Sequence, residues 1–328
     1  MIDDPDTHTV LFTSENWNPD GLAFEWARPE FSADDGIGSL DALHTLSDQV
    51  VAIGSFVDES YSVIGSGTMI GPGLVLTASH VMAEFTDAKR VPFFLTFPQK
   101  NGIRGWAPFE ASCASGRVDA PVLFGAALGT RRSDLMLVSC VLMTDALTSH
   151  PLLLSPLEIQ LPLPGQRLWA VGFRESHATE PPRRLTPLVS SGCVTACYPH
   201  GRGEMLRSAC IEVAMNTQGG MSGGPVFNEA GRVIGVVSSS FESDDLVGPT
   251  YVTLIWEALR TGIHVVWPKG YWPSEDTFLL EARDRNLLKI AGEATIDASR
   301  NVILTLPKDQ TELIIRTAQD TAVRRNSR

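Results

Sequence analysis

The chain has 328 residues, of which 43% are hydrophobic and 20% are charged, and its formal net charge is −12. This length is sufficient to bury a large core. The acidic balance excludes a typical nucleic-acid binder, whose affinity depends on basic side chains that neutralise phosphates.

The N-terminal segment gives no sign of export or of a membrane anchor. It has no basic start followed by an apolar run, and Asp3, Asp4 and Asp6 disfavour a signal peptide. No stretch approaches the roughly 18 apolar residues of a membrane span. The five cysteines are an odd number without the spacing of a disulfide framework. We therefore expect a cytoplasmic protein with reduced thiols and without a membrane partner.

Predicted strands dominate the first half of the chain, after an acidic segment at 1–45. Alternating and continuous apolar runs between glycine-rich turns are typical of β-hairpins. The predicted elements are a strand at 50–56, a hairpin around Gly71-Pro72-Gly73 whose second strand ends at His80, a short helical turn, strands at 93–97 and 118–124, and an apolar run at 135–143 directly after Asp134.

A proline-rich connection at about 151–165 separates this half from a second half of similar pattern. The turn Asn228-Glu229-Ala230-Gly231 is expected to join two of its strands as a hairpin. The predicted elements are strands at 167–173, 188–198, 210–215, 224–228, 233–240 and 250–255, a helix at 256–263, and two strand-like runs, NVILTL (301–306) and ELIIRT (312–317).

A serine surrounded by small residues lies in Gly219-Gly220-Met221-Ser222-Gly223-Gly224-Pro225. Glycines allow a sharp turn, which can point the N–H groups of Gly220 and Ser222 at one spot. Such a turn suits an acyl-transfer nucleophile with an oxyanion hole, although many glycine-rich turns are purely structural.

His80 and Asp134 supply the other groups that such a nucleophile needs. Either residue alone would be interpreted as structural, since one ends an apolar strand and the other precedes one. In the order histidine, aspartate, serine, they provide a base for the hydroxyl and a carboxylate that fixes the histidine tautomer. The three residue types together therefore indicate a hydrolytic site.

The segments GSGTMIGPGLVLTASHV and GGMSGGPVFNEAGRVIGVVSS resemble the two signature blocks of trypsin-like (chymotrypsin-fold, family S1) serine peptidases. They are more similar to the HtrA-like and glutamyl-endopeptidase-like bacterial branches than to animal digestive enzymes. The resemblance covers about 50–263. It implies a mostly β fold of two six-stranded antiparallel barrels with the active site between them. It also implies a triad of His80, Asp134 and Ser222, an oxyanion hole at Gly220 and Ser222, and no cofactor.

Asp119 is the competing acid, and Asp134 is preferred because an apolar strand follows it immediately, as the family pattern requires. By the same resemblance, Ser238 and Ser240 lie on a strand that pairs with the substrate backbone, and Asn216 lies at the floor of the specificity pocket. An amide carries no net charge, so we predict no strict preference for Lys or Arg. Asp244 and Asp245, on a following loop, either restore cation binding or are solvated.

Two departures from the digestive relatives concern control. Val81 replaces a disulfide cysteine, and Met221 replaces the aspartate that pairs with a newly cleaved N-terminus in zymogen-activated members. We expect no activation by that route, and expect regulation by a protein partner or by the terminal segments.

The predicted organisation is an acidic extension at 1–45, a peptidase domain at 46–263 with lobes at about 46–150 and 165–263, and a C-terminal extension at 264–328. The C-terminal extension lacks the carboxylate-binding loop of a PDZ domain.

The predicted function is a serine endopeptidase that hydrolyses peptide bonds in protein or peptide substrates through an acyl-enzyme on Ser222. It would act as a partner-regulated effector in stress or defence. The alternatives are a housekeeping quality-control protease and a catalytically silent binding module.

A zinc site is a further interpretation, with Cys193, Cys197, Cys210 and His200 as the candidate ligands. We favour no metal, because no CxxC pair is present and the cysteines fit a β core, with Cys193 and Cys197 on one strand face.

Overall fold

A computed structural model describes most of the chain beyond the first 23 residues. Within this part, no helix is both long enough and apolar enough to cross a lipid bilayer. The predicted strand at 118–124 is described only at 118–119, and Asp244 and Asp245 lie outside the described residues. The described residues are 24–26, 28–29, 31, 36–40, 46–57, 60–88, 90–99, 102–115, 118–119, 132–143, 151–174, 185–203, 206–240, 249–267, 273–298 and 301–326.

Strands make up most of the structure, and three α-helices and a 3₁₀ helix at Ile255–Arg260 complete it. The helices are α1 (Ser79–Ala88), α2 (Leu279–Asp284) and α3 (Lys308–Asn326). The strands are β1 (Phe24–Trp26), β2 (Gly36–Ser39), β3 (Val50–Val57), β4 (Ser60–Gly71), β5 (Leu74–Thr77), β6 (Phe93–Gln99), β7 (Gly102–Ser115), β8 (Val118–Asp119), β9 (Arg132–Leu142), β10 (Leu152–Leu154), β11 (Leu157–Glu158), β12 (Arg167–Phe173), β13 (Pro187–Tyr198), β14 (Cys210–Ala214), β15 (Pro225–Phe227), β16 (Val233–Ser240), β17 (Thr250–Leu254), β18 (Ile263–Val265), β19 (Glu275–Thr277), β20 (Ile290–Ala291), β21 (Glu293–Ile296) and β22 (Val302–Thr305).

Six antiparallel strands close the first barrel in the order β3-β4-β5-β9-β7-β6. Each strand contributes buried apolar side chains to one core, including Ile53, Met69, Leu76, Phe94 and Leu137. Closure pairs the strands around the ring, so the barrel has no open sheet edge.

The second barrel closes in the order β12-β13-β14-β17-β16-β15, because β15 pairs with both β12 and β16. The turn at 228–231 joins β15 to β16, as the sequence predicted, with the Gly231 N–H donating to the Asn228 carbonyl at 2.9 Å. Outside this barrel, β11 pairs with β16, and β2 pairs with residues 188–191 of β13. The predicted fold of two six-stranded antiparallel barrels is confirmed.

The terminal segments pack on both barrels. Phe31 stacks on Trp169 of β12, with ring centroids 5.7 Å apart. Near the C-terminus, β20 pairs with β11, and β22 pairs with β8. The Gln310 side chain on α3 accepts a hydrogen bond from the Leu161 N–H at 2.9 Å. These contacts make the segment after residue 263 part of the packed structure.

The prediction of a strand at ELIIRT is wrong, because residues 312–317 lie in helix α3. Gln310 and Ile314 are buried there at 6% and 4% exposure, and Leu313 packs against the core. This inward-facing set has the spacing of a helix face rather than the alternation of a strand. The other predicted run, NVILTL, contains strand β22.

Two further predictions in the second half need correction. The helix expected at 256–263 is a 3₁₀ helix at Ile255–Arg260, followed by strand β18. Cys193 and Cys197 do not share a strand face, because a bulge between Val194 and Ala196 inserts an extra residue into β13. Such an insertion reverses the alternation of faces along a strand.

Candidate active site

His80 lies in the first turn of helix α1, and not at the end of a strand as predicted. Strand β5 ends at Thr77 and the helix begins at Ser79. The first N–H groups of a helix have no partner within it. Asp134 Oδ1 accepts the N–H of His80 at 3.1 Å and so satisfies one of them. A carboxylate is also favoured at this end of the helix dipole.

The imidazole of His80 faces the same carboxylate. Its Nδ1 lies 3.0 Å from Oδ1 and 2.9 Å from Oδ2 of Asp134. With a carboxylate at Nδ1, the proton is held on that nitrogen, and Nε2 remains available to accept another. The His80 side chain is 45% exposed, whereas that of Asp134 is 19% exposed. The imidazole is therefore the more solvent-exposed member of the His80–Asp134 pair.

Four effects set the pKa of His80. Burial lowers it, whereas the hydrogen bond and charge of Asp134, and then the charge of Glu84, raise it. The net result is a pKa above the ordinary value of 6.5. Because a general base must be neutral, this histidine becomes available as a base only as the pH rises through that raised value.

Glu84 is exposed one helical turn after His80, so its charge can be removed without disturbing packing. We expect Glu84→Gln to lower the pKa of His80, because the variant lacks a charge that favours imidazolium. The acid limb of the pH profile for covalent labelling at Ser222 should move to lower pH by a few tenths of a unit. The displacement should shrink at high salt, as exposed charges are screened. An unmoved limb at low salt would contradict this electrostatic assignment.

Ser222 lies in a tight turn whose backbone only glycine adopts readily. Gly220 and Gly223 have φ values of +90° and +77°, in the region that disfavours residues with a Cβ. Within the described residues, the N–H groups of Gly220 and Ser222 make no hydrogen bond. Those of their neighbours do, because Met221 donates to Gln218 and Gly223 to Val237. The two unpaired N–H groups are the pair that the sequence predicted for an oxyanion hole.

The turn of the second barrel is held against the first barrel by Ser66 of β4. The Ser66 N–H donates to the Ser222 carbonyl at 2.8 Å, and its hydroxyl donates to the Gly220 carbonyl at 2.7 Å. The same oxygen accepts the N–H of Phe173 on β12 at 2.8 Å. Ser66 is fully buried, so this contact between the barrels is shielded from water.

Close glycine packing brings the serine turn next to the histidine helix. A Cβ placed on Gly65 would lie 2.4 Å from Val81 and 3.2 Å from the Ser222 carbonyl. Val81 follows His80 directly, so the histidine helix and the serine turn both pack against Gly65 of β4. In this arrangement of the described residues, no hydrogen bond joins the Ser222 hydroxyl to His80. Such bonds are often long before substrate binds.

The predicted substrate-binding residues lie at one corner of the second barrel. Ser240 pairs with Thr250 through the backbone, and the Thr250 hydroxyl donates to the Met215 carbonyl at 2.9 Å, beside Asn216. The Asn216 amide is partly exposed and has no hydrogen bond within the described residues. The Ser238 hydroxyl lies 2.5 Å from Thr253 Oγ1 and is buried. Only the backbone of Ser240 is described.

The competing acid, Asp119, lies in β8 and pairs by its backbone with Ile303 of β22. The structure thus brings Asp134 to His80. Among the described side chains, no group of three or more His, Cys, Asp or Glu is arranged to hold a metal ion. All five cysteines are free thiols, and Cys197 donates to the Pro162 carbonyl at 3.1 Å.

Sequence reasoning missed two serines that contact the site. Ser79 donates a hydrogen bond to Asp134 Oδ1 at 2.9 Å, and Ser66 binds the serine turn. Both belong to the block that suggested the family, but their roles depend on partners 55 and 154 residues away. The position of Ser79 directly before His80 was the one local sign in the sequence that either serine could contact the site.

A double barrel with a histidine–aspartate pair on one lobe and a glycine-flanked serine on the other defines the chymotrypsin-like class of folds. A family model for the trypsin-like peptidase domain matches residues 65–236, which are 172 of the 328 residues. The chain therefore belongs to the trypsin-like peptidase family, and the resemblance drawn from the two sequence blocks is confirmed.

Solved structures similar to this chain include a MamO protease domain and Deg5. The protease domain of MamO from Magnetospirillum magneticum has 18% identity and a TM-score of 0.43, over 65% of this chain and 95% of that chain. Deg5 has 20% identity and a TM-score of 0.40, over 64% of this chain and 84% of that chain. The comparison with curated proteins gave no match.

Proposed function

We propose that this protein is a serine endopeptidase with Ser222 as nucleophile, His80 as general base and Asp134 as the group that orients His80. The observation that carries the proposal is the placement of the His80–Asp134 pair beside a turn whose Gly220 and Ser222 N–H groups have no partner among the described residues. Membership of the trypsin-like peptidase family supports the same reaction class.

In this mechanism, His80 Nε2 accepts the proton of the Ser222 hydroxyl as the oxygen attacks the carbonyl carbon of the peptide bond. Asp134 keeps the other proton on Nδ1 and stabilises the imidazolium that forms. The Gly220 and Ser222 N–H groups donate to the developing oxyanion. His80 then gives its proton to the leaving amine, and a water molecule, deprotonated by His80, releases the acyl group.

We further propose that the substrate backbone pairs with β16 near Ser238 and Ser240. The substrate side chain just before the cleaved peptide bond would enter a pocket with Asn216 at its floor. The amide of Asn216 carries no charge and has no hydrogen bond among the described residues, which supports a preference for residues other than Lys and Arg. A cleavage profile dominated by Lys or Arg would overturn this part of the proposal.

Control by a partner or by the terminal segments is also a proposal. Met221 is fully buried, and a thioether cannot form an ion pair with a new N-terminal ammonium. This supports a mode of control other than N-terminal cleavage. The effector role in stress or defence and the cytoplasmic location stay predictions.

A fluorophosphonate probe tests the proposed function directly, because it reacts with an activated serine and needs no known substrate. We expect one label per chain, located at Ser222 by peptide mass spectrometry. The label should be absent in Ser222→Ala and in heat-denatured protein. Ser139→Ala, which changes a serine of β9 on the first barrel, is the matched control and should label like the wild type.

Two other outcomes distinguish the alternatives. Labelling that begins only after a partner or a peptide is added would support a gated peptidase. A folded protein that never labels, with or without a peptide, would overturn the proposal and favour a binding module on a protease fold.

A further inference from the structure

We propose that Ser79 is a positioning residue for Asp134, and that its hydroxyl, rather than that of Ser238, supplies the extra hydrogen bond that fixes the carboxylate. The inference rests on the proposed function, since it concerns the orientation of His80 as a base. Ser79 would touch neither the substrate nor the reacting atoms, and would act through Asp134.

The carboxylate of Asp134 is hydrogen-bonded by both Ser79 and His80. Its Oδ1 accepts from the Ser79 hydroxyl at 2.9 Å and from the His80 N–H at 3.1 Å. Both oxygens face the imidazole Nδ1, at 3.0 Å and 2.9 Å. Rotation of the carboxylate about its Cβ–Cγ bond would break the Ser79 contact. The hydroxyl therefore restrains the rotation that would turn the carboxylate away from His80.

Ser238, the buried serine of β16 on the opposite barrel, has a hydroxyl that is already paired. Its Oγ lies 2.5 Å from Thr253 Oγ1, and its side chain is buried at 5% exposure. Among the described contacts, none joins Ser238 to Asp134. The hydroxyl donor to the carboxylate thus comes from the same barrel as the carboxylate itself.

The position of Ser79 is fixed by its place in the chain. It is the first residue of α1 and precedes His80, so the helix carries the hydroxyl and the imidazole together. A second acceptor, the Ser133 carbonyl, lies 3.4 Å from the Ser79 hydroxyl. The charged and closer carboxylate is the stronger acceptor of the single proton. Ser79 and His80, which are adjacent in the sequence, thereby both bind the carboxylate of Asp134.

The experiment compares Ser79→Ala and Ser79→Thr with the wild type, in kinetics on a peptide substrate and in fluorophosphonate labelling. We expect Ser79→Ala to lower kcat by about five- to tenfold, with little change in KM, because one charge-assisted hydrogen bond is lost. Ser79→Thr retains the hydroxyl and should restore kcat to within about twofold. Ser55→Ala is the matched control, because Ser55 is buried on β3 and its hydroxyl has no partner in the described structure.

The pH profile separates positioning from a loss of folded protein. Without the Ser79 hydroxyl, the carboxylate is free to turn away from the imidazole and favours the imidazolium less, so the pKa of His80 should fall and the acid limb should move to lower pH. A merely structural defect would lower the amplitude and leave the limb in place.

The two proposals fail in different ways. If the wild type labels at Ser222 but Ser79→Ala matches it in kcat and acid limb, the role of Ser79 is overturned and the proposed function stands. If Ser79→Thr is as slow as Ser79→Ala, the hydroxyl is not the cause, and the inference fails. A wild type that never labels overturns the proposed function and this inference with it.

Discussion

Asp134→Asn is expected to lower the rate of covalent labelling at Ser222 by about three to four orders of magnitude. The carboxylate accepts hydrogen bonds from Ser79, from the His80 N–H and from the His80 ring. An asparagine has one acceptor oxygen and an NH₂ group in place of the second. Its NH₂ would face Nδ1 and turn that nitrogen into an acceptor. The remaining proton would then sit on Nε2, where it prevents His80 from taking the proton of Ser222.

Asp119→Asn is the matched control, since Asp119 was the competing acid in the sequence and lies on β8. We expect this variant to label at the wild-type rate. The measurement is the second-order rate constant of fluorophosphonate labelling, with circular dichroism to establish that both variants are folded. A folded Asp134→Asn within tenfold of the wild type would rule out the proposed role of Asp134.

Gly223→Ala is expected to slow labelling by about a hundredfold or more and to lower the free energy of unfolding by roughly 2–5 kcal/mol. Gly223 has a φ of +77°, and a Cβ there would lie 2.2 Å from Thr77 Oγ1, 2.3 Å from the Ser66 carbonyl and 2.9 Å from the Ala78 nitrogen. Two of these atoms are backbone and cannot rotate away. The turn would have to leave β4, which moves Ser222 away from His80. A displacement of about 1 Å is enough to cost about a hundredfold in rate.

Gly203→Ala separates the backbone strain from the steric clash. Gly203 has a φ of +69°, but a Cβ there would meet nothing within 4 Å. We expect a loss of only roughly 1–2 kcal/mol and normal labelling at Ser222. Thermal unfolding should therefore show a much larger fall in Tm for Gly223→Ala than for Gly203→Ala. Equal falls, or normal labelling of Gly223→Ala, would show that the contact between the turn and β4 does not hold the site.

A contact with a distant part of the chain explains why the C-terminal segment was hard to interpret from sequence. The run ELIIRT has the composition of a strand, but it forms part of α3, whose buried residues Gln310 and Ile314 contact the core. Propensity in a short apolar run does not distinguish a strand from a helix. Which face is buried depended on residues near position 161, about 150 residues earlier in the chain.

The sequence by itself determined the features that depend on local chemistry. The glycines around Ser222, the hairpin before His80 and the turn at 228–231 follow from backbone conformations that few residues adopt. The apolar runs were enough to predict two barrels once the family blocks were recognised. The residue types at 80, 134 and 222 followed from the same blocks.

Only the tertiary structure decided which groups that are distant in the sequence meet within and between the two barrels. The Ser66 hydroxyl binds a carbonyl 154 residues away, and Ser79 binds a carboxylate 55 residues away. The pairing of Ser238 with Thr253 also depends on a bulge between Val237 and Ser239 of β16. Hydrogen bonds of this kind depend on the register and closure of both barrels, and a local pattern of residues does not specify either.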